Sequence, residues 1–190
     1  MEGVESRKIQ EIQALFKEMK PEFIRTSLKK MWLEDFHEFC LNNLNPTSVE
    51  LMDDLLKFEA DFKTIQVVYN SIGNKDFNTA IKIMTTRKNL CPNLGYLYPD
   101  CQRALFNAQS LDAIRDNVKG IDNYRDILKD APDPMKKEDF SVATRSLDDI
   151  MFDEEARRYA LAFDQQAQYA VFYAYLKLKE QEIRNIVWLA

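Results

Sequence analysis

The chain has 190 residues, of which 46% are hydrophobic and 30% charged, and its net charge is -5 with both signs spread along its length. That balance excludes a disordered polymer and leaves room for one sizeable core or two smaller ones. Lysine and arginine form no dense cluster in the sequence, so an extended nucleic-acid backbone is not an expected partner.

Residues 4–19 read as a helix, with Ile9, Ile12, Leu15, Phe16 and Met19 at helical spacing. Pro21 opens a second helix, whose apolar positions Phe23, Ile24, Leu28, Met31, Trp32, Phe36 and Phe39 run to about Leu44. Thr47 to Glu50 has the pattern of a capping box and predicts a long helix to about Ile72, striped by Met52, Leu55, Phe58, Phe62, Ile65, Tyr69 and Ile72. Gly73 and Asn74 are its expected stop. A helix over 76–86 should follow, then a loop from Leu90 to Pro99. Short helices are expected over 100–108, 111–119 and 122–129, the second capped by Ser110. Ala131-Pro132-Asp133-Pro134 is a loop and the expected boundary between subdomains.

From Ser146 the pattern predicts one or two long helices to the end. Asp148, Asp149, Asp153, Glu154 and Glu155 enrich the early turns in acid, where the helix dipole favours negative charge; a basic partner surface is the alternative use for them. Phe163, Ala167, Ala170, Phe172, Tyr173, Leu176, Ile183, Ile186 and Val187 supply the expected apolar face. No stretch alternates as a strand, so the fold class is all-α. The longest apolar run, Ala170 to Leu176, falls well short of the roughly 20 residues a membrane-spanning helix needs.

Chemical motifs are few. Cys40, Cys91 and Cys101 contain no C-x-x-C pair and read as reduced thiols. Glu34 and His37 have the E-x-x-H spacing of di-iron bundles, but such a site needs a second histidine and His37 is the sole one. His37 and Cys40 lie three apart on one helix, a poor arrangement for a catalytic pair. Gly3, Gly73, Gly95 and Gly120 are isolated, so no phosphate-cradling glycine loop exists. No metal, cofactor or catalytic residue is expected, and a small helical enzyme is disfavoured.

Two helices repeat a pattern, E-x-[DE]-x-[KR]-x-I, at an offset of 121 residues: Glu59, Asp61, Lys63 and Ile65 in the first, Glu180, Glu182, Arg184 and Ile186 in the second. Each glutamate sits beside an apolar stripe with a cation four residues on. The expected ion pairs are therefore Glu59–Lys63 and Glu180–Arg184, each fixing a helix orientation. A real repeat would mean two large related subdomains.

The same segments resemble the d subunit of V-type ATPases, a family that includes the archaeal-type C subunit. The resemblance runs through Phe23-Ile24-Arg25, Leu33-Glu34-Asp35-Phe36 and Phe39-Cys40, then Phe58-Glu59-Ala60-Asp61, Asn70-Ser71-Ile72-Gly73 and Leu97-Tyr98-Pro99. It is densest at Gln168 to Tyr175 and at Leu178 to Trp188, which holds Glu180, Glu182, Arg184, Asn185 and Trp188. The resemblance implies an all-helical funnel of three related subdomains and no catalysis. It implies a seat on the proteolipid c-ring at the cytoplasmic face of vacuolar or other acidic-organelle membranes. The implied partners are that ring and the central-stalk subunits D and F, between which the subunit passes torque. It also implies a chain about twice as long, so that the first subdomain and the C-terminal tail are missing here. On this basis residues 1–20 are an N-terminal helix of unassigned role, 21–131 the first helical subdomain present and 132–190 the second. The alternative is a shortened paralog acting as a free helical interaction protein outside the pump.

Overall fold

The computed structural model describes residues 21–72, 80–121, 124–135, 145–165 and 169–189. The helix expected over 4–19 lies outside them. Among the described residues all regular structure is helical: α1 (Pro21–Asn43), α2 (Pro46–Ser71), α3 (Ala80–Leu90), α4 (Asp100–Leu105), α5 (Leu111–Val118), α6 (Tyr124–Ile127), a 3-10 turn (Leu128–Asp130), α7 (Leu147–Asp164) and α8 (Ala170–Leu189).

Helix α2 is the axis of the molecule. From Leu51 to Tyr69 it has no fully exposed residue. One side carries Phe58, Phe62, Ile65 and Val68 into a cluster with Leu105, Ile114, Tyr124 and Met151. A second side gives Met52, Leu56 and Ala60 to a cluster with Leu33, Cys40 and Ala170. Leu55 meets Tyr159, Ala162 and Ala174. The stripe visible in the sequence is thus only part of what is buried. A helix covered all round is the core itself rather than an amphipathic cover.

The start of α2 differs from expectation. Asn45 is the cap: its side-chain oxygen accepts the Ser48 amide at 2.8 Å, and Pro46 fills the first turn, where an amide hydrogen would have no helical partner. The helix has begun before Thr47, so the Thr47–Glu50 capping box does not form. Helix α3 runs on past Thr86 to Leu90, because Arg87 and Leu90 are buried and continue its packed face; residues 73–79 lie outside the described residues. Ser110 caps α5 as expected, its Oγ accepting the Ala113 amide at 3.2 Å. Ser146 and Asp149 form a reciprocal capping box at α7, giving the local acids a structural use at the positive end of the helix.

Residues on either side of the 131–134 loop share one core: Leu147 and Met151 of α7 belong to the same cluster as Phe58 and Ile114. The hydroxyl of Tyr69 on α2 donates to the Pro132 carbonyl at 2.9 Å, tying the loop down.

The face of α8 is the largest departure from the sequence reading. Phe172, Leu176, Ile183, Ile186 and Val187 point outward, Leu176 being 62% exposed, and Phe163 at the end of α7 is also exposed. The side turned to the body carries Ala170, Tyr173, Ala174, Lys177, Gln181 and Arg184. These recur at helical spacing, so α8 has two stripes, and the small and polar one packs. Ala170 and Ala174 let the helix backbone come close to its neighbours, and the polar residues meet buried carboxylates. Truncation should expose this reversal. Leu56→Ala, at a fully buried position, should cost about 2–5 kcal/mol, whereas Leu176→Ala should stay within about 0.5 kcal/mol of the parent in urea denaturation.

Candidate functional site

The residues singled out by the repeat fall into two environments. Phe58, Glu59 and Asp61 are buried on α2, with Lys63 half-buried beside them. Glu180, Glu182, Asn185 and Trp188 are exposed on α8, Trp188 at 84%, and Arg184 is half-buried. The two copies of the pattern are therefore not physically equivalent: one lies at the axis and the other at the outer edge.

Glu59 is held by α8. Its Oε1 pairs with Lys177 Nζ at 2.7 Å, and its Oε2 accepts the Tyr173 hydroxyl at 2.6 Å. Only 6% of its side chain is exposed, against 16% for Lys177. Burial alone would raise the Glu59 carboxyl, but the charge and hydrogen bond of Lys177, then the Tyr173 hydroxyl, hold it below the ordinary glutamate range. Burial pulls Lys177 down, while Glu59 outweighs that and leaves it above the ordinary lysine range. Tyr173 also meets Phe36 of α1 and Tyr159 of α7, with ring centroids 5.5 and 6.1 Å apart. One buried knot thus joins α1, α2, α7 and α8.

This corrects both expected ion pairs. Lys63 does not reach Glu59; its ammonium lies over the Phe62 ring, 5.5 Å from the centroid. Arg184 does not pair with Glu180; its guanidinium stacks 3.3 Å above the Phe152 ring. Glu180 is exposed and, among the described residues, lies 3.8 Å from Lys177. The cause is the reversed face of α8, which turns Arg184 inward and Glu180 outward. Beside the knot, Glu155 is buried and accepts from Tyr159 at 3.1 Å and from Gln181 at 3.1 Å. Burial raises its carboxyl, and the negative charge of Glu59 adds to the effect.

Asp61 organises the loop that follows α3. Its Oδ2 accepts the Tyr96 amide at 2.8 Å and the Tyr124 hydroxyl at 2.8 Å, and its Oδ1 accepts the Leu97 amide at 3.2 Å. Gly95, at φ +121°, carries the loop over this carboxylate, and an added Cβ would stand 2.0 Å from Asp61 Oδ1. The position needs glycine for both reasons. Burial pushes the Asp61 carboxyl up to about 7, against its three hydrogen bonds.

The remaining reactive residues have structural partners. His37 Nε2 lies 2.7 Å from Asp53 Oδ1, while Cys40 packs among Leu33 and Met52. Glu34 accepts the Asn93 amide at 2.6 Å. Cys91 is buried, and desolvation pushes its thiol up to about 12, far from a nucleophile's range. Among the described residues no group of three or more His, Cys, Asp or Glu is arranged to hold a metal ion, and no helix is long and apolar enough to cross a membrane.

Sequence reasoning missed Lys177, Tyr124 and Arg158, and read Tyr173 only as part of an apolar face. Arg158 binds Glu154 at 3.0 Å and covers the Phe58 ring at 4.2 Å. Lys177 had one legible signal: it stands on the same helical stripe as Ala170 and Ala174, and small residues mark close packing.

Comparison with known proteins places the chain in a family. Residues 6–190 match the family model described as ATP synthase (C/AC39) subunit, and the chain belongs to that family, which takes in the V-type proton ATPase d subunits. It is 39% identical over 173 residues to V-type proton ATPase subunit d of Dictyostelium discoideum, covering 91% of this chain and 44% of the relative. It is 37% identical over 173 residues to V-type proton ATPase subunit d1 of Arabidopsis thaliana, with 91% and 45% covered. Against subunit d of Saccharomyces cerevisiae the identity is 33% over 173 residues, again 91% and 45%. The chain spans less than half the length of these relatives.

Two measurements check the site. Lys177→Met leaves Glu59 buried without its cation and should cost about 3–5 kcal/mol, while Lys63→Met should cost far less. Adding Glu59→Gln to Lys177→Met should recover part of the loss, read as a coupling energy in a double-mutant cycle. For Asp61, burial lets the folded carboxyl hold its proton to about pH 7, while the unfolded chain releases it near the ordinary aspartate value of 3.8. The folded state therefore binds the extra proton between these values, and its contribution is present at acid pH and lost as pH rises toward 7. The stability of the parent relative to Asp61→Asn should accordingly fall from pH 4 to pH 7 and then level off.

Proposed function

We propose that this chain works as a non-catalytic coupling part of a V-type proton-pumping ATPase, passing torque between the central stalk, with subunits D and F, and the proteolipid c-ring. In this reading it lies at the cytoplasmic face of a vacuolar or other acidic-organelle membrane and is held there through the complex. The observation that carries the proposal is family membership over residues 6–190, with relatives named as subunit d of the V-type proton ATPase.

The geometry supports it in two ways. A torque-bearing part must resist shear between helices, and the Glu59–Lys177–Tyr173 knot ties four helices at one point. It must also offer surface to neighbours. Along α8 the residues Phe172, Tyr175, Leu176, Ile183, Ile186 and Val187 form an outward apolar stripe, of the kind that assemblies bury. Within this reading residues 21–131 and 132–190 are two related subdomains joined along α2 rather than across a free hinge. No observation favours the alternative of a free interaction protein outside the pump.

Affinity purification of the tagged chain from native membranes tests the proposal. Proteolipid and central-stalk subunits should be recovered together with it, and the outward substitution Leu176→Glu should reduce that recovery without unfolding the chain. Recovery of neither class of subunit would refute the coupling role.

A further inference from the structure

A chamber of about 480 Å³ opens between α1, α2, α3 and the start of the following loop. Helix α1 contributes Arg25, Lys29 and Lys30, α2 contributes Lys63, and α3 contributes Arg87. No aspartate or glutamate lines it among the described residues. Five cations around one small space is an arrangement with a cost. Arg25 and Lys29 stand four apart on the same helix, where like charges destabilise. The Lys29 ammonium is pushed below the ordinary lysine range by burial and then by Lys63 and Arg25.

Arg87 is 3% exposed, and among the described residues its guanidinium donates to neutral oxygens. Nε donates to Ser71 Oγ at 2.7 Å, while Nη1 donates to the carbonyls of Phe106 at 2.8 Å, Ala108 at 2.6 Å and Leu105 at 3.5 Å. These bonds fix the group in place without neutralising it, and its Nη2 donors have no partner among the described residues. A buried charge ordinarily has a counter-charge. Among the described residues the acids that reach these cations are bound elsewhere: Glu59, which attracts Lys29 and Lys63, pairs with Lys177 and Tyr173; Glu155, which attracts Lys63, accepts from Tyr159 and Gln181; and Asp148 accepts from Gln66 Nε2 at 2.9 Å. Lys30 spends one donor on the Asn89 carbonyl at 3.2 Å.

We propose that this chamber binds a small polyanion bearing two or more phosphate groups, seated between Arg87 and the lysines of α1 and α2. A single carboxylate would leave most of the positive charge unmatched, whereas clustered phosphates present several charges and many acceptor oxygens within a few ångströms. A guanidinium fixed by its other nitrogens still has its Nη2 donors to offer to a phosphate oxygen, a charge-assisted hydrogen bond. Asn70, Ser71 and Thr86 add neutral polar groups to the wall. Phe23, Val67, Leu90 and Phe152 line the rest, giving a compact non-phosphate body an apolar surface to rest on. The volume is that of a small-molecule site rather than a groove for a polymer. The phosphates can come from a soluble metabolite or from the headgroup of a phosphorylated lipid.

Calorimetric titration of the purified full chain with sodium tripolyphosphate tests the site, with sodium sulfate at matched ionic strength as the reference. Vesicles of phosphatidylcholine with and without phosphatidylinositol bisphosphate form the second arm. Saturable one-to-one binding of tripolyphosphate, weakened about tenfold or more by Lys29→Gln combined with Lys63→Gln, is the expected result. Lys179→Gln, on the far face of α8, should leave it unchanged. Vesicle binding that requires the bisphosphate lipid and is displaced by tripolyphosphate identifies a lipid source; its absence beside tripolyphosphate binding identifies a soluble one. The proposal is overturned if tripolyphosphate binds no better than sulfate. It is equally overturned if Lys179→Gln weakens binding as much as the double variant, which would mark diffuse attraction to surface lysines. A folded double variant, verified by circular dichroism, keeps the comparison meaningful.

Discussion

The structure depends on a single constraint: α2 is enclosed on every side yet carries carboxylates in its most enclosed turns. Glu59 and Asp61 lie between Phe58 and Phe62, and all four are buried. A carboxylate in such a place is tolerable only if other elements bring it donors. Glu59 draws Lys177 and Tyr173 from α8, and Asp61 draws two loop amides and the Tyr124 hydroxyl. These demands fix where α8, the 91–99 loop and α6 must sit. Apolar packing alone leaves helices free to slide by a fraction of a turn, and a buried ion pair with one geometry does not.

The same constraint explains why α8 turns an unexpected face outward. Its inward stripe serves the carboxylates of α2 and α7, so its apolar stripe is left for the surface. In a small isolated protein this would waste hydrophobic area. The stripe lies where the resemblance to the V-type ATPase d-subunit family is densest.

Much of this was legible in the sequence, and the failures have physical causes. The helical class followed from 3.6-residue spacing, and the end of the long helix α2 was placed to within a residue, its start two residues late. Ser110 was read correctly as a cap because its chemistry is local. The Thr47–Glu50 box failed because Asn45 with Pro46 starts the helix two residues earlier, and either signal fits the local pattern. Of the face expected on α8, Ala170 and Tyr173 do turn inward, but Phe172, Leu176, Ile183, Ile186 and Val187 do not; the reading failed there because apolarity was taken to mean inward. For a helix with one apolar and one small-and-polar stripe, the choice rests on buried partners that are far away in sequence. The ion pairs failed for the same reason. Lys63 is four residues from Glu59 and Lys177 is 118 residues away, and no periodicity announces the latter. Asp61 stood in the family pattern, but its role needed Gly95 and Tyr124 to be seen beside it.

The central claim, that α2 is the axis on which the other helices are fixed, is most directly tested by native-state amide hydrogen exchange read residue by residue. Amides of Phe58 to Ile65 should be the slowest in the chain and should exchange only through global unfolding, with the last turns of α8 opening far more readily. If the amides of α2 exchange through a local opening while those of α7 or α5 remain protected, the organising core lies elsewhere and the account is wrong.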